Sequence, residues 1–344
     1  MISATRPVVV VTHWVHPEVL TFLAHHFQVV ANQTDEAWPR AEVLARCRDA
    51  DGAMMFMPDW VDDEFLEACP RLRIISAALK GYDNFDVRAL TRRGVWLTIV
   101  PDLLASPTAE LAIGLLLAPT RNLLRGDRLI REGQFHGWRP RLYGTELSGR
   151  CAGLIGMGGV GRELAERLKP LRLSMLYSDE RRLADAEEAL YGVLYATPEG
   201  LLAASDFVFL LLPLRPDTRH YLNAAGLAGM KHGAYLINVA RGSLVCEREV
   251  AEALRSGHLA GYAADVFEME DWALADRPRS IAKELLAGDL NTVFTPHLGS
   301  ATHAARRDIA MAAARELVSV LIDGNPPQHA VKRVPSAPAD ETNL

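Results

Sequence analysis

The sequence predicts an α/β protein built from two doubly wound domains, each a parallel sheet covered by helices on both faces. Three observations carry this. Short apolar runs alternate with amphipathic helical stretches along almost the whole chain, the pattern that specifies parallel sheets. A length of 344 residues accommodates two domains of ordinary size, each with its own core. The alternation is interrupted once, by a connector rich in Gly, Arg and aromatic residues at 133–149, and then restarts.

In the first series, residues 8–12, 28–31, 52–57, 74–79 and 95–100 read as strands. Stretches 17–26, 41–48 and 62–68 between them carry apolar residues at helical spacing. A long helical pattern then runs from 107 to about 131, with Ser106 as its cap and Pro107 at the first helical position, where a missing N–H costs nothing. Pro119 inside it predicts a kink or a break. The second series opens at Cys151, with strands over 151–155, 174–178, 207–212, 235–239, 261–266 and 293–295. A helix over 304–322 follows and is free to return to the first domain. The domain reading is therefore 1–104 with 300–330, wrapped around 105–299, and a proline-rich, aperiodic tail at 331–344.

Composition narrows the function classes. The chain is 49% hydrophobic and 23% charged with a net charge of −6, so nothing favours a polyanion, and nucleic acid is not an expected partner. The apolar run at 8–11 is too short for a signal peptide, and the most apolar stretch, 111–118, soon meets Arg121 and reads as a buried helix. No membrane partner is expected. Cys47, Cys69, Cys151 and Cys246 have neither metal-ligand nor disulfide-framework spacing, which points to no metal and to a reducing cytoplasm.

The second series opens on Gly156-Met157-Gly158-Gly159-Val160-Gly161, after a short strand and before a helical run at 160–168. Glycines there permit a tight turn, close approach of backbone to a pyrophosphate and close packing of helix on strand, while the helix N-terminus faces the phosphate charge. Asp179 ends the next strand at the spacing of a carboxylate that accepts hydrogen bonds from a ribose. Asp179 and Glu180 together would repel a ribose phosphate, so NAD is the expected cofactor. Arg181 and Arg182 follow at once and keep NADP as the weaker alternative.

Three more segments follow strands: Asn238-Val239-Ala240-Arg241-Gly242-Ser243, Asp265-Val266-Phe267-Glu268-Met269-Glu270 and Thr295-Pro296-His297-Leu298-Gly299-Ser300. With the glycine motif and the loop Leu79-Lys80-Gly81-Tyr82-Asp83-Asn84-Phe85-Asp86, they resemble the D-isomer-specific 2-hydroxyacid dehydrogenase family over nearly the full length. Segments such as Val100-Pro101-Asp102-Leu103-Leu104 and Asp265 through Trp272 resemble its phosphite-oxidising (phosphonate dehydrogenase) members more closely still. The resemblance implies a Rossmann-type NAD domain and a flavodoxin-like substrate domain with the active site in the cleft between them, and a homodimer.

It also implies roles. Arg241 would clamp the substrate anion, His297 would exchange the proton and Glu270 would orient and polarise it, with Glu268 off the motif position. The physical logic agrees: a planar cation for bidentate oxyanion contact, an imidazole and a carboxylate that fixes its tautomer. Family substrate loops grip a carboxylate through backbone N–H groups beside a glycine, here Gly81. Lys80 adds an ammonium to that loop, and beside Arg241 it points to a smaller, more highly charged oxyanion, phosphite. The expected reaction is NAD-dependent oxidation of phosphite to phosphate, with water as the oxygen source and His297 as its base. The alternative is a D-2-hydroxyacid dehydrogenase working as a glyoxylate or hydroxypyruvate reductase. A nicotinamide-sensing corepressor without turnover is a minor third, disfavoured by the intact Arg241, Glu270 and His297.

By the same resemblance Met57, Leu104, Trp138, Tyr143, Ser300 and Arg306 line the pocket, with Trp138 and Tyr143 crossing from a partner subunit. Cofactor contacts extend to Thr108, Leu212, Pro213, Val239, Ala240, Asp265 and Gly299.

Overall fold

The computed structural model describes residues 6–331, and among them the chain divides into two compact units. The first takes the chain up to Leu103 and from Thr302 onward; the second takes Leu104–Ala301.

The first unit holds a five-stranded, all-parallel sheet of β1 (Val8–Val11), β2 (Gln28–Ala31), β3 (Gly52–Met55), β4 (Ile74–Ala77) and β5 (Trp96–Thr98), ordered β2-β1-β3-β4-β5. Strands covered on both faces read as apolar runs rather than alternations, as β1, with four valines, does. Helix Pro17–His26 has Pro at its start, and helices Asp63–Ala68 and Val87–Arg92 are capped by the Asp62 and Asp86 carboxylates on backbone N–H groups three residues on. Helix His303–Leu321 belongs to this unit. Ser76 donates its hydroxyl to Ala313 O at 2.8 Å, and a Cβ on Gly52 would meet the Leu321 and Leu317 side chains at 2.8 and 3.0 Å. Of the stretch read as an irregular tail, all but Val331 lies outside the described residues; Val331 itself donates its N–H to Leu97 O at 2.9 Å, extending the edge of β5.

The second unit holds a seven-stranded parallel sheet: β6 (Cys151–Ile155), β7 (Ser174–Ser178), β8 (Leu194–Tyr195), β9 (Phe207–Leu210), β10 (Ala234–Asn238), β11 (Leu259–Ala264) and β12 (Thr292–Phe294). The order is β12-β11-β10-β9-β6-β7-β8, so the winding reverses between β6 and β9. Successive side chains feed opposite faces. Leu154, Phe209, Ile237 and Ala263 join one core; Ile155, Leu210, Leu236 and Ala264 join the other.

The long helix is two helices, Ala105–Thr120 and Leu123–Arg131, broken just after Pro119, where Asn122 takes a left-handed φ of 52°. Its start differs from expectation. A 3-10 turn at Asp102–Leu104 leads into a helix beginning at Ala105, so Ser106 is not the cap and Pro107 is the third helical residue. The Ser106 hydroxyl instead accepts from Arg167 at 2.6 Å. Apolar and long, this helix buries Ala109, Ala112, Leu115 and Leu116 in the unit's own core.

Candidate active site

Every motif loop of the second unit leaves the carboxyl end of a strand, the edge at which open parallel sheets bind ligands. The loop after β6 carries the glycines. Gly156 has φ 108° and lies so near the next strand that a Cβ would fall 2.8 Å from Leu211 C; one on Gly161 would fall 2.3 Å from Gly156 O. Gly158 is different: a Cβ there meets nothing within 4 Å. It precedes helix Gly159–Leu168, which has no side-chain cap, so its first N–H groups stand open beside a bare backbone. The loop with Gly159 and Val160 fits a dinucleotide pyrophosphate at this helix start.

The Asp179 carboxylate accepts the Met157 N–H at 2.7 Å and the Arg181 N–H at 3.1 Å, tying the end of β7 to the glycine loop while leaving lone pairs for ribose hydroxyls. Glu180, expected against the ribose, is exposed and forms an ion pair with Arg215 instead. Of Arg181 and Arg182, the two expected grips on a ribose phosphate, Arg182 is paired with Glu188 at 3.0 Å and Arg181 is exposed. This arrangement suits NAD. Leu212 and Pro213 follow β9, and Val239 and Ala240 follow β10, so both pairs lie at the same sheet edge.

Arg241, Glu270 and His297 follow β10, β11 and β12, three neighbours in the sheet. His297 Nδ1 lies 2.7 Å from Glu270 Oε2, and Glu270 Oε1 accepts the Phe267 N–H at 2.9 Å. Both carboxylate oxygens are thereby fixed. The pair sets the imidazole with its proton on Nδ1 and leaves Nε2 as the working nitrogen. His297 sits in the left-handed region, φ 56°, a conformation that costs a β-carbon residue about 1–2 kcal/mol. Asp265 holds it there. Its buried carboxylate accepts the Thr295 hydroxyl at 2.6 Å, the Leu298 N–H at 2.7 Å and the Gly299 N–H at 2.8 Å, and its carbonyl accepts the His297 N–H at 2.9 Å. Burial pushes the Asp265 carboxyl above its ordinary range, although these donors oppose the shift. A Cβ on Gly299 would lie 3.2 Å from both Asp265 Oδ2 and the Thr108 hydroxyl oxygen, so Thr108 shares this corner.

Arg241 is extended, and the Asn238 side chain brackets its loop, donating to Arg241 O at 2.8 Å and accepting the Ala240 N–H at 3.1 Å. Gly242 is pressed onto the next loop: a Cβ would fall 1.8 Å from Phe267 C and 2.2 Å from Glu268 N. Beneath lies a brace that spacing in the sequence did not indicate. Glu247 and Glu268 each accept the other's backbone N–H at 2.9 and 2.8 Å, His220 Nε2 lies 3.0 Å from Glu268, and Asp271 accepts the Ser243 N–H at 2.7 Å. Burial raises the Glu247 carboxyl above its usual range. Glu268, off the motif position, thus supports the loops that carry Arg241 and Glu270.

In the first unit, Lys80 follows β4. Its ammonium pairs with Asp102 at 2.9 Å and is 42% exposed, so part of its charge is already balanced. Gly81 and Met57 are half-buried, as are Leu104 and Ser300 of the second unit. Arg306 lies half-buried near the start of helix His303–Leu321, its guanidinium 5.6 Å over the Phe56 ring, and burial draws it below the ordinary arginine range. Trp138 and Tyr143, expected to reach the pocket from a partner subunit, are 76% and 74% exposed on the single chain.

Residues 113–299 match the NAD-binding domain of the D-isomer specific 2-hydroxyacid dehydrogenases. Glyoxylate reductase of Pyrococcus furiosus is 36% identical over 334 residues, 96% of each chain, and that of Thermofilum pendens is 37% identical over 333 residues, again 96% of each. Among solved structures, an NADPH-dependent glyoxylate/hydroxypyruvate reductase of Sinorhizobium meliloti, in complex with NADP and malonate, is 29% identical with a TM-score of 0.82, over 96% of this chain and 98% of that one.

Proposed function

This chain belongs to the D-isomer-specific 2-hydroxyacid dehydrogenase family as an NAD-dependent dehydrogenase, and from that premise we propose that it reduces small 2-keto acids of the glyoxylate and hydroxypyruvate class to the 2-hydroxy acids. The observation that carries the reading is the His297–Glu270 pair at 2.7 Å, made between the loops after β12 and β11 beside the loop after β10 that holds Arg241, in a chain some 36% identical over nearly its whole length to a glyoxylate reductase.

The residues divide the work as follows. The Arg241 guanidinium takes the substrate carboxylate, with two parallel N–H groups for two oxygens. His297 Nε2 delivers the proton to the C2 oxygen in reduction and removes it in oxidation. Glu270 holds the Nδ1 proton, fixes the ring plane and balances the imidazolium charge. NADH bound at the glycine loop supplies the hydride. Trp138 and Tyr143, exposed on one chain, are proposed contacts in a homodimer.

A second reading, oxidation of phosphite, is favoured by Lys80. There the P–H bond gives its hydride to NAD while water adds to phosphorus, and His297 takes the proton from that water. It stands second because Asp102 already balances the ammonium that would distinguish such a site. The deciding experiment follows NADH loss with glyoxylate, hydroxypyruvate and pyruvate, and NADH formation with NAD and phosphite, in wild type and Lys80→Ala. Keto acid turnover that survives in Lys80→Ala supports the first reading. Rapid phosphite turnover, lost in Lys80→Ala, with none of the keto acids, reverses the order.

A further inference from the structure

Within the second unit, strand β12 ends the seven-stranded sheet and so has a strand partner on one side only. The Tyr262 N–H donates to Asn291 O and the Thr295 N–H to Ala264 O, at 3.0 Å each, which fixes the alternation of the β11–β12 ladder. The main-chain N–H groups of Thr292 and Phe294 therefore point away from β11, toward the free edge. Natural sheets cover such an edge or guard it with charge, because its row of donors and acceptors invites a partner.

This edge and helix Leu123–Arg131 line one cavity of about 300 Å³, at the small end of the range for small-molecule sites. Its charge is one-sided. Arg125 and Arg128, three residues apart and so on one face of the helix, both line it, and no Asp or Glu does. Among the described residues neither arginine is paired with an acid: Arg125 donates to Asp289 O at 3.0 Å, and the neighbouring Asp127 carboxylate is taken by Arg131 at 2.7 Å. Like charges at this helical spacing repel, so an anion held between them relieves a cost that the free protein carries. Leu124 and Leu286, both exposed, add an apolar wall. A bare inorganic ion would use only the charged half of this lining; an organic anion uses both halves.

We propose that the cavity binds a small organic oxyanion, its phosphate or carboxylate head on the Arg125 and Arg128 guanidiniums and its apolar body against Leu124 and Leu286. Planar guanidiniums suit either head through paired N–H groups. None of these residues is among those assigned above to the keto acid or to NAD.

The test is calorimetric titration of the NADH-loaded protein, in which the dinucleotide occupies the glycine loop, with phenyl phosphate, benzoate, inorganic phosphate and benzyl alcohol. An aromatic anion is expected to bind about tenfold more tightly than inorganic phosphate, which lacks the body, and than benzyl alcohol, which lacks the charge. The tighter of phenyl phosphate and benzoate names the head group. In Arg128→Gln that affinity falls about tenfold, and in Arg128→Lys, which keeps the charge and loses the fork, it falls by less. NADH affinity in both variants stays within about twofold of wild type, a change too small for one lost hydrogen bond to a charged group. Arg241→Gln leaves binding of the aromatic anion intact. Absence of binding by either aromatic anion, inorganic phosphate bound as tightly as phenyl phosphate, affinity retained in Arg128→Gln, or affinity lost in Arg241→Gln each overturns the proposal. So does a cavity covered by a second copy of the chain, seen as affinity that falls as the protein is concentrated through its monomer–dimer range. Arg128 is exposed on the helix, outside the unit's cores, and should its variants still fail to fold, the four-probe comparison on wild type decides.

Discussion

Gly242→Ala tests how the site is held together. A Cβ at this position would fall 1.8 Å from Phe267 C, 2.2 Å from Phe267 O and 2.2 Å from Glu268 N, all backbone atoms that cannot swing aside. Carbon contacts settle near 3.5–4.0 Å, so one loop must retreat by about 1.5–2 Å. The loops concerned carry Arg241 on one side and Glu270, with its hold on His297, on the other. A misplacement of about 1 Å can cost on the order of a hundredfold in rate, so kcat/KM with glyoxylate should fall by at least that factor. Overpacking of this kind costs about 1–3 kcal/mol, a melting temperature lower by roughly 2–12 °C for a unit of this size. NADH affinity, read by fluorescence titration, should fall less than kcat/KM, because the glycine loop after β6 and Asp179 lie elsewhere on the sheet edge while only Val239, Ala240 and Asp265 adjoin the displaced loops. A variant with wild-type kcat/KM and melting temperature would refute the idea that this close approach sets the spacing of Arg241 and Glu270.

Two further outcomes are expected. Asp179→Ala should raise KM for NADH by about tenfold, through loss of ribose contacts and of the tie to Met157, while KM for the keto acid stays within about twofold; a selective loss of keto acid affinity would contradict the cofactor assignment. Asp206 offers a pH test. Burial alone would raise its carboxyl, but Lys231 at 2.8 Å, the Cys151 N–H and Arg150 outweigh that and hold it below the usual range. Its contribution is therefore present above the unfolded carboxylate pKa of about 3.9 and is lost as pH falls through the lower folded value. Half-exposed cationic partners keep it near about 1 kcal/mol. Denaturant unfolding of Asp206→Asn should show that deficit at pH 7 and a vanishing one at the acid end; a deficit constant with pH would contradict it.

Much of this was legible in the residues, for identifiable reasons. Strands buried on both faces announce themselves as apolar runs, and most of them were located to within two residues. Starts differ by one or two residues at β5, β10, β11 and β12, whereas overruns at the carboxyl ends share a cause. Phe56, Met57, Ala78, Leu79, Leu211 and Leu212 are as apolar as the strands before them, yet lie beyond the carboxyl ends, where the chain has left the sheet to build the site. The two-residue strand β8, Leu194–Tyr195, exposed and at the sheet edge, carries no periodicity and went unread.

The side chains proposed as catalytic stand out in the sequence because each follows a strand within a short motif. Their supports were not. Glu247 reads as an ordinary first-turn helix acid, and nothing in its spacing says that it and Glu268 exchange backbone hydrogen bonds across 21 residues. Asp102, which occupies Lys80, was visible only as part of a loop. Pair formation between separate segments depends on tertiary placement, which one-dimensional spacing does not encode.

The most direct measurement is the steady-state rate of NADH-dependent glyoxylate reduction by His297→Asn, with NADH affinity measured alongside. If the His297 imidazole, held by Glu270, moves the proton, kcat falls by about a hundredfold to ten-thousandfold while NADH binds within about twofold of wild type. A variant that keeps more than about a tenth of the wild-type kcat would contradict the assignment of His297 as the proton-exchanging group.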